Sequence, residues 1–579
     1  MKELLEKHNL PESWELVKLN DIAYINMGQS PPSNTYNYNK EGLPFFQGKA
    51  EFGKLYPTVV KYCSQPIKVA KKNDILISVR APIGATNIAT EDCCIGRGLA
   101  SINTFGKIPH LYVLWYLRLI ENEIIEFGTG SVFKAISKIT LENINIPISS
   151  VSETERIVFK IEELFSKLDE AEKGLEKASK GLKIYRQTLL NQAFFGKLTE
   201  RWRRENSINV SSKQLIDDIK KERQTKYDLE VLEWEKSLKK WKEEKKGKRP
   251  SKPSKPIVPD KPTEDQMLKT WKLPKEWQWT QLGLIAFITK LAGFEYTEYV
   301  KYTEKGDLPV IKAENIGQDG FKKTVYSKVI AESIEPLKRS KLVGGELIIV
   351  FVGSLGNVGT IPKNQSFFLG PNIAMARPYN EINTKFLEYF YQSHRGKKLL
   401  LATSKAVAQP SLSMGNIRQT PIALPCKEEQ FQIVQIIENQ FTLISNLEKN
   451  VDNVLNEIIA LKHSILKKAF EGRLVNYTSN ESIESLLNDI QIEKKLYLEN
   501  LKELNRSKPK QKKKMEEKKP ILEILKESNS PISAKELWEK STSEGDIERF
   551  YNEIKEIYHQ IDEVKSKTES LLTLKDEDK

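Results

Sequence analysis

Two adjacent prolines, in Ser30-Pro31-Pro32-Ser33, are the nearest this chain comes to the loop with which adenine methyltransferases hold a flipped base. That loop needs a polar residue before the prolines and an aromatic after them, so that one end bonds the amino group while the ring stacks. A serine stands where the aromatic is required, and the chemistry fails. FGTGS at Phe127–Ser131 has the glycines of a cofactor loop but precedes no clear strand–helix unit, so a short turn accounts for it. No G-x-x-x-x-G-K-[ST] occurs, which removes phosphate-loop ATP chemistry. Carboxylates are spread throughout, with no pair set beside a lysine as a nuclease would need. His8, His110, His394, His463 and His559 form no i, i+4 pair. Cys63, Cys93, Cys94 and Cys426 show no CxxC spacing and read as packed, reduced thiols of a cytoplasmic protein. The expectation is a non-catalytic chain with no metal and no directly bound cofactor.

What remains is recognition. The 579 residues carry 91 Lys and Arg against 78 acids, a net charge of +13 that favours a polyanionic partner. Double-stranded DNA is read by Arg or Lys on guanine and by Asn or Gln on adenine, from loops that can reach a groove. In the first half such residues are Gln29 and Ser30 (GQSPPSN), Gln47 and Lys49 (FQGKAEF), Arg80 (SVRAPIG), Arg97 (IGRGL) and Lys134 (TGSVFKAIS). In the second half they are Lys290, Lys312, Asn315, Asn357, Asn372, Lys405 and Gln409. Each competes with a plainer account, a solvated or locally hydrogen-bonded side chain. Arg80 and Arg97 stand out because both follow apolar strand-like runs and adjoin proline or glycine. Even so, Arg97 has a core carboxylate as its alternative partner. The N-terminus lacks an apolar signal core and no run of apolar residues is long enough to span a bilayer, so no membrane partner is expected.

The elements that position these residues are written twice. LPESWELVKLNDIAYI (Leu10–Ile25) returns as LPKEWQWTQLGLIAFI (Leu273–Ile288) without a gap, and LLNQAFFGKL (Leu189–Leu198) as ILKKAFEGRL (Ile465–Leu474). QLIDDIKKE (Gln214–Glu222) likewise resembles SLLNDIQIE (Ser485–Glu493). Each copy opens with short β-rich runs broken by Gly, Pro, Asn and Ser, which predicts an α+β globular domain. Each then turns helical. Ile161, Leu164, Leu168, Ala171, Leu175, Ala178, Leu182, Tyr185 and Leu189 alternate by three and four, as do Ile437, Gln440, Ile444, Leu447, Val451, Val454, Ile458, Leu461 and Ile465. That repeat predicts a coiled-coil seam about 43 Å long, with the two helices paired antiparallel. Such a length suits a spacer between half-sites one DNA turn apart, about 34–36 Å. Phe194 and Phe470, in the repeated exits, cap the pair or dock a partner, and Gly196 and Gly472 supply the left-handed helix stop.

An LPxxW opening, a variable domain, an IVxxIExxF entry to a long helix and an AFxGxL exit, all repeated, resemble type I restriction–modification specificity subunits. The resemblance covers about residues 10–500. It implies two target-recognition domains, each reading half of a bipartite, asymmetric DNA site. It also implies helices that bind two modification (adenine methyltransferase) subunits, with two motor–nuclease restriction subunits joining; S-adenosylmethionine, ATP and magnesium would belong to those partners. The domains are then 1–150 (first recognition), 151–204 (first spacer helix), 205–265 (charged helix and Lys/Pro-rich linker) and 266–425 (second recognition). After these come 426–476 (second spacer helix), 477–519 (charged helical segment and basic linker) and 520–579, a helical, winged-helix-like extension with Ser533 as an N-cap. The first helix entry, VSETERIV, departs from the Pro-rich form seen in LPCKEEQFQIV (Leu424–Val434). Two other readings stay open: a coiled-coil scaffold whose globular ends bind proteins, and a fused methyltransferase that the missing catalytic loop opposes.

Overall fold

The computed structural model describes residues 10–128, 134–206, 210–244, 249–256, 258–259, 272–322, 325–379, 381–402, 411–476, 481, 483–507, 518–528, 530–544, 546–565 and 570–575. The chain forms two compact units, Met1–Arg156 with Tyr477–Lys579, and Ile157–Asn476.

In the first unit, Ile75–Ser78 is buried along its whole length, as a strand covered on both faces must be. It lies in an antiparallel sheet ordered Ala23–Met27, Leu99–Thr104, Ile75–Ser78, Thr86–Ile88. A second sheet of five short strands places Leu43–Phe46 parallel to Cys93–Ile95 at its centre. Glu15–Lys18 pairs with Asn145–Ile148 and closes the domain on its own ends. A helical stretch after the sheet breaks at Ile120 into His110–Leu119 and Glu121–Glu126. Asp74, buried at the strand entry, accepts the Lys71 N–H and the Asn103 side chain. Burial raises its pKa while those bonds pull it back.

The second unit repeats this frame. Its first sheet runs Ala286–Lys290, Ile373–Pro378, Leu347–Val350, Val358–Thr360, all antiparallel. Its second sets Leu308–Ile311 parallel to Phe367–Leu369, and Gln278–Gln281 pairs with Pro421–Leu424. Glu346 takes the place of Asp74, accepting the Val343 and Gly344 N–H groups and the Arg377 guanidinium.

Four long helices follow in chain order: α1 (Val151–Phe194), α2 (Ser212–Glu244), α3 (Lys427–Phe470) and α4 (Ile483–Ser507). Within the second unit α1 and α3 run antiparallel. Lys462 of α3 bridges Asp169 and Glu172 of α1 at 2.8 and 2.9 Å. Further along α1, Arg186 reaches back to Ser445 and Glu448 and lies 4.4 Å over the Phe441 ring. The expected seam is displaced by one residue at alternate positions. Half-buried or buried on α1 are Leu168, Glu172, Leu175, Ser179, Leu182, Arg186 and Leu189, while Ala171, Ala178 and Tyr185 are exposed. On α3 the matching stripe is Ile444, Glu448, Val451, Leu455, Ile458, Lys462 and Ile465. Leu447 and Leu461, expected in the seam, are 50% and 48% exposed, and Val454 40%. Positions i+3 and i+4 flank the same line on a helix. The ion pairs select i+4, and the long Lys and Arg stems cover apolar surface while their heads meet carboxylates. Ile161, Leu164 and Ile437 lie on the inward side as expected.

Both exits end in left-handed glycines, Gly196 at φ +70° and Gly472 at φ +69°. Phe194 is buried edge-on against Phe386 and Phe390 in the second domain's core, so it anchors α1 there and offers nothing to a partner. Phe470 is also buried.

The helices that follow α1 and α3 in sequence, α2 and α4, each dock on a globular domain. Leu215 and Ile219 of α2 enter the second domain's core, and Arg223 donates to the Leu284 carbonyl at 3.0 Å. In the first unit, Tyr497 of α4 packs on Tyr24 and Phe105, and Glu493 accepts the Gly106 N–H. The extension has its three helices, Ile521–Glu527, Ala534–Lys540 and Ile547–Glu556, with Ser533 capping the second through the Glu536 N–H. A three-stranded sheet, Ile532–Ser533, Ser570–Leu574 and Ile561–Lys565, joins them in the order of a winged helix.

Candidate nucleic-acid interface

In the first domain the reading candidates are collected by backbone bonds at the ends of strands. Gly96 donates to Phe46, Val79 donates to Gly98, and Gln29 donates to Ile95. The Ser30 hydroxyl accepts the Arg97 N–H at 3.2 Å. A Cβ on Gly98 would stand 2.2 Å from the Gln47 carbonyl, so only glycine lets these two loops touch. Arg80 pairs across with Ala135, next to Lys134. Gln29, Gln47, Lys49, Arg80, Arg97 and Lys134 are all exposed, and Ser30 is half-buried. Ser30 thus orients the arginine loop. The others form one continuous edge of donors without a core carboxylate among the partners that hold the Arg97 loop.

The second domain builds a matching edge with three of the same bonds. Gly370 donates to Ile311, Phe351 to Asn372, and Leu412 to Phe351, the last matching Ile136 to Val79 in the first domain. By these bonds Lys312 stands where Gln47 does, Asn372 where Gly98 does, and Val352 where Arg80 does. Asn372 is exposed and held at φ +64°. Lys290 is exposed with its ammonium 5.2 Å over Phe351. Lys312 is half-buried; its ammonium donates to Ser327 at 2.6 Å and lies 4.4 Å over Tyr302.

Two candidates are corrected. Asn315 is 1% exposed and its oxygen accepts the Lys312 N–H at 2.7 Å, so it shapes the loop instead of facing DNA. Asn357 is 9% exposed and bridges the Ile316 carbonyl and Lys397. Both fell into the plainer class because short amide side chains close turns as readily as they read bases. Lys405 and Gln409 lie outside the described residues.

Two grooves escaped the sequence. One of about 420 Å3 runs from Tyr24 to Gln29 and takes in Lys68 and Lys138. The other, about 410 Å3, lies between Tyr302 and Tyr326 with Thr303, Ser327 and Lys328 on its walls. Lys68 and Lys138 gave no local signal, since they join the edge only through folding. Among the described residues no set of three His, Cys, Asp or Glu could hold a metal, and no helix is long and apolar enough to cross a membrane. The four cysteines are buried, and burial pushes Cys94 up to about 12 and Cys426 to about 11, which keeps those two thiols protonated at neutral pH.

The family model described as the type I restriction modification DNA specificity domain matches twice, at residues 11–178 and 274–457. A putative type I restriction enzyme MjaX specificity subunit of Methanocaldococcus jannaschii is 49% identical over 156 residues, 26% of this chain and 37% of that protein. The type I restriction enzyme EcoBI specificity subunit of Escherichia coli is 22% identical over 484 residues, 82% of this chain and 90% of that one. A solved chain from work on assembly and conformational transition of the type I R-M system superposes with a TM-score of 0.56 at 16% identity, covering 81% of this chain and all of that one; it shows the fold. The duplicated domains, the two spacer helices and the doubled family match agree: this chain belongs to the family of type I restriction–modification specificity subunits, non-catalytic proteins that recognise DNA sequence through two target-recognition domains.

Proposed function

We propose that the chain reads a bipartite, asymmetric DNA site, one half with each recognition domain, and directs adenine methylation or restriction by partner subunits. The observation that carries this reading is the doubled edge: the same backbone bonds place Gln47, Arg80 and Gly98 in one domain where Lys312, Val352 and Asn372 stand in the other. One scaffold with two unlike sets of side chains is what two unlike half-sites require. The complex holds two modification subunits and two motor–nuclease subunits. S-adenosylmethionine, ATP and magnesium sit on those partners, and the complex works in the cytoplasm. The exposed apolar line Leu443, Leu447, Val454 and Leu461 on α3 supports docking of the modification subunits along the helix pair.

Co-expression with the two modification subunits, followed by mapping of methylated adenines, tests the reading. A two-part motif is expected. No methylation, together with no DNA shift at low salt, would sink it. Replacing residues 10–150 with another such domain is expected to change one half of the motif; a change in both halves overturns the assignment of one domain to each half.

A further inference from the structure

The segment that joins the two copies carries proline at 250, 253, 256 and 259. A three-residue period is that of polyproline II, which keeps one face per turn. The four prolines are half-buried, whereas Arg249, Ser251, Lys252, Ser254, Lys255 and Val258 are exposed. What the segment leans on is α2: the Trp234 indole donates to the Pro250 carbonyl at 3.1 Å, and the Lys252 ammonium lies 5.5 Å over the same ring. Trp234 belongs to a half-buried stripe on α2, with Tyr227, Val231, Leu238 and Trp241, on a helix stretch whose other side chains are exposed. The sequence reads this stretch as a Lys/Pro-rich linker, and proline every third residue lowers the entropy cost of fixing it. A tether has no use for a fixed face. Here that face is cationic, with Arg249, Lys252 and Lys255 spaced at about 9 Å by the polyproline rise. Exposed Lys236, Lys239 and Lys242 stand on the neighbouring helix.

We propose that this polyproline segment and the C-terminal half of α2 form a phosphate-binding arm that grips duplex DNA without regard to sequence. Each step of the ladder advances by about the axial rise of three phosphates along one strand. The compact ammonium heads of Lys252 and Lys255 suit single phosphates, and the Arg249 guanidinium pairs with a phosphate through two parallel bonds. The proposal rests on the DNA-reading assignment, and adds to it an anchor outside the recognition domains' reading edges.

The test is the salt dependence of binding of the full chain to a duplex of random sequence, with the logarithm of affinity plotted against the logarithm of KCl concentration. For the Arg249→Gln/Lys252→Gln/Lys255→Gln variant the slope is expected to fall in magnitude by about 2.7, three phosphates at roughly 0.9 each. The Pro250→Gly/Pro253→Gly/Pro256→Gly variant keeps every charge and is expected to bind several-fold more weakly, because the ladder is no longer held. A charge variant whose slope stays within about 0.5 of the wild type overturns the arm. So does one that binds DNA normally and instead loses a co-expressed subunit, which would assign the face to an acidic protein. If the wild-type chain itself binds no duplex at low salt, the DNA-reading assignment fails first, and the two failures are told apart.

Discussion

Glu153 and Glu429 occupy the same place in the two copies, at the start of a spacer helix beneath the tryptophan of the LPxxW opening, yet their surroundings differ. Trp14 donates to Glu153 at 3.2 Å, and Trp277 donates to Glu429 at 2.9 Å. Glu429, fully buried, also accepts from the Thr199 hydroxyl at 2.6 Å and from the Arg203 guanidinium. Glu153 has no such arginine among its described partners, and burial raises its pKa against the pull of Trp14. The two copies therefore keep one anchor by different means: one as a charge pair, the other as a hydrogen bond that tolerates a proton. The recognition edges show the same division, a shared backbone frame with unlike side chains at its tips. Duplication has preserved what positions the reading loops and released what they present.

The largest effect that breaks this comparison is expected from Glu429→Gln, which leaves the largely covered Arg203 guanidinium only Glu276, 3.9 Å away and itself 45% exposed, as a counter-charge. Loss of one partner of a buried pair costs about 3–5 kcal/mol, read as a lower urea midpoint for the unit Ile157–Asn476. Glu153→Gln keeps an acceptor for Trp14 and removes a buried charge, so its midpoint stays level or rises. The pH dependence follows. A carboxyl whose folded pKa lies above its unfolded value binds more protons when folded, so its contribution to stability falls as pH rises through the unfolded pKa towards the folded one. Glu153→Gln is expected to flatten that fall in the first unit. If both Gln variants lose stability equally, the two anchors are not different.

Next is the helix pair. Ile458, 6% exposed, faces α1, and Ile458→Ala is expected to cost about 2–4 kcal/mol. Leu461→Ala, one turn on at 48% exposure, stays within about 0.5 kcal/mol for the isolated chain. Equal losses would return Leu461 to the seam. Thermal unfolding of the two variants side by side gives the answer.

The same pair shows how far sequence reading reached. Period and antiparallel pairing were legible because Leu168, Leu175, Leu182, Ile444, Val451 and Ile458 recur every seven residues and do face inward. The alternate line is illegible because the three–four repeat follows mainly apolar side chains, and Glu172, Arg186, Glu448 and Lys462, which hold that line through ion pairs, carry no such mark. At the recognition edge, glycine and proline neighbours pointed correctly to the exposed loops of Gln29, Gln47, Arg80 and Arg97. They could not separate Asn372, which faces outward, from Asn315 and Asn357, which are consumed by their own loops. That distinction depends on burial produced by distant strands. The docking of α4 on the first domain was illegible for the same reason, since Glu493 and Gly106 meet across 387 residues.

Arg97→Ala then sharpens the comparison of the edges. If Arg97 reads a base, its loss is expected to cost about 1–3 kcal/mol of discrimination, confined to one half of the motif. On the proposed reading, methylation mapping at limiting enzyme is expected to show relaxed choice at one position, with the other half unchanged. Uniform loss across all sites would instead make Arg97 a phosphate contact.

The smallest effect on the fold, and the narrowest test of the second edge, comes from Asn372. Its left-handed backbone, φ +64°, is one that asparagine and glycine adopt with little cost and alanine does not. Asn372→Gly therefore keeps the loop and removes only the amide, with a stability change of about a few tenths of a kcal/mol, while Asn372→Ala strains the same turn. The first domain already has glycine at this place, Gly98, whose carbonyl accepts the Val79 N–H as that of Asn372 accepts the Phe351 N–H. Asn372→Gly makes the second edge resemble the first at this point. If the amide reads a base, one position in the second half of the motif loosens while the first half and the melting temperature hold. If both halves stay sharp, Asn372 serves its turn alone, and the reading of that half passes to Lys290, Lys312 and the groove between Tyr302 and Tyr326.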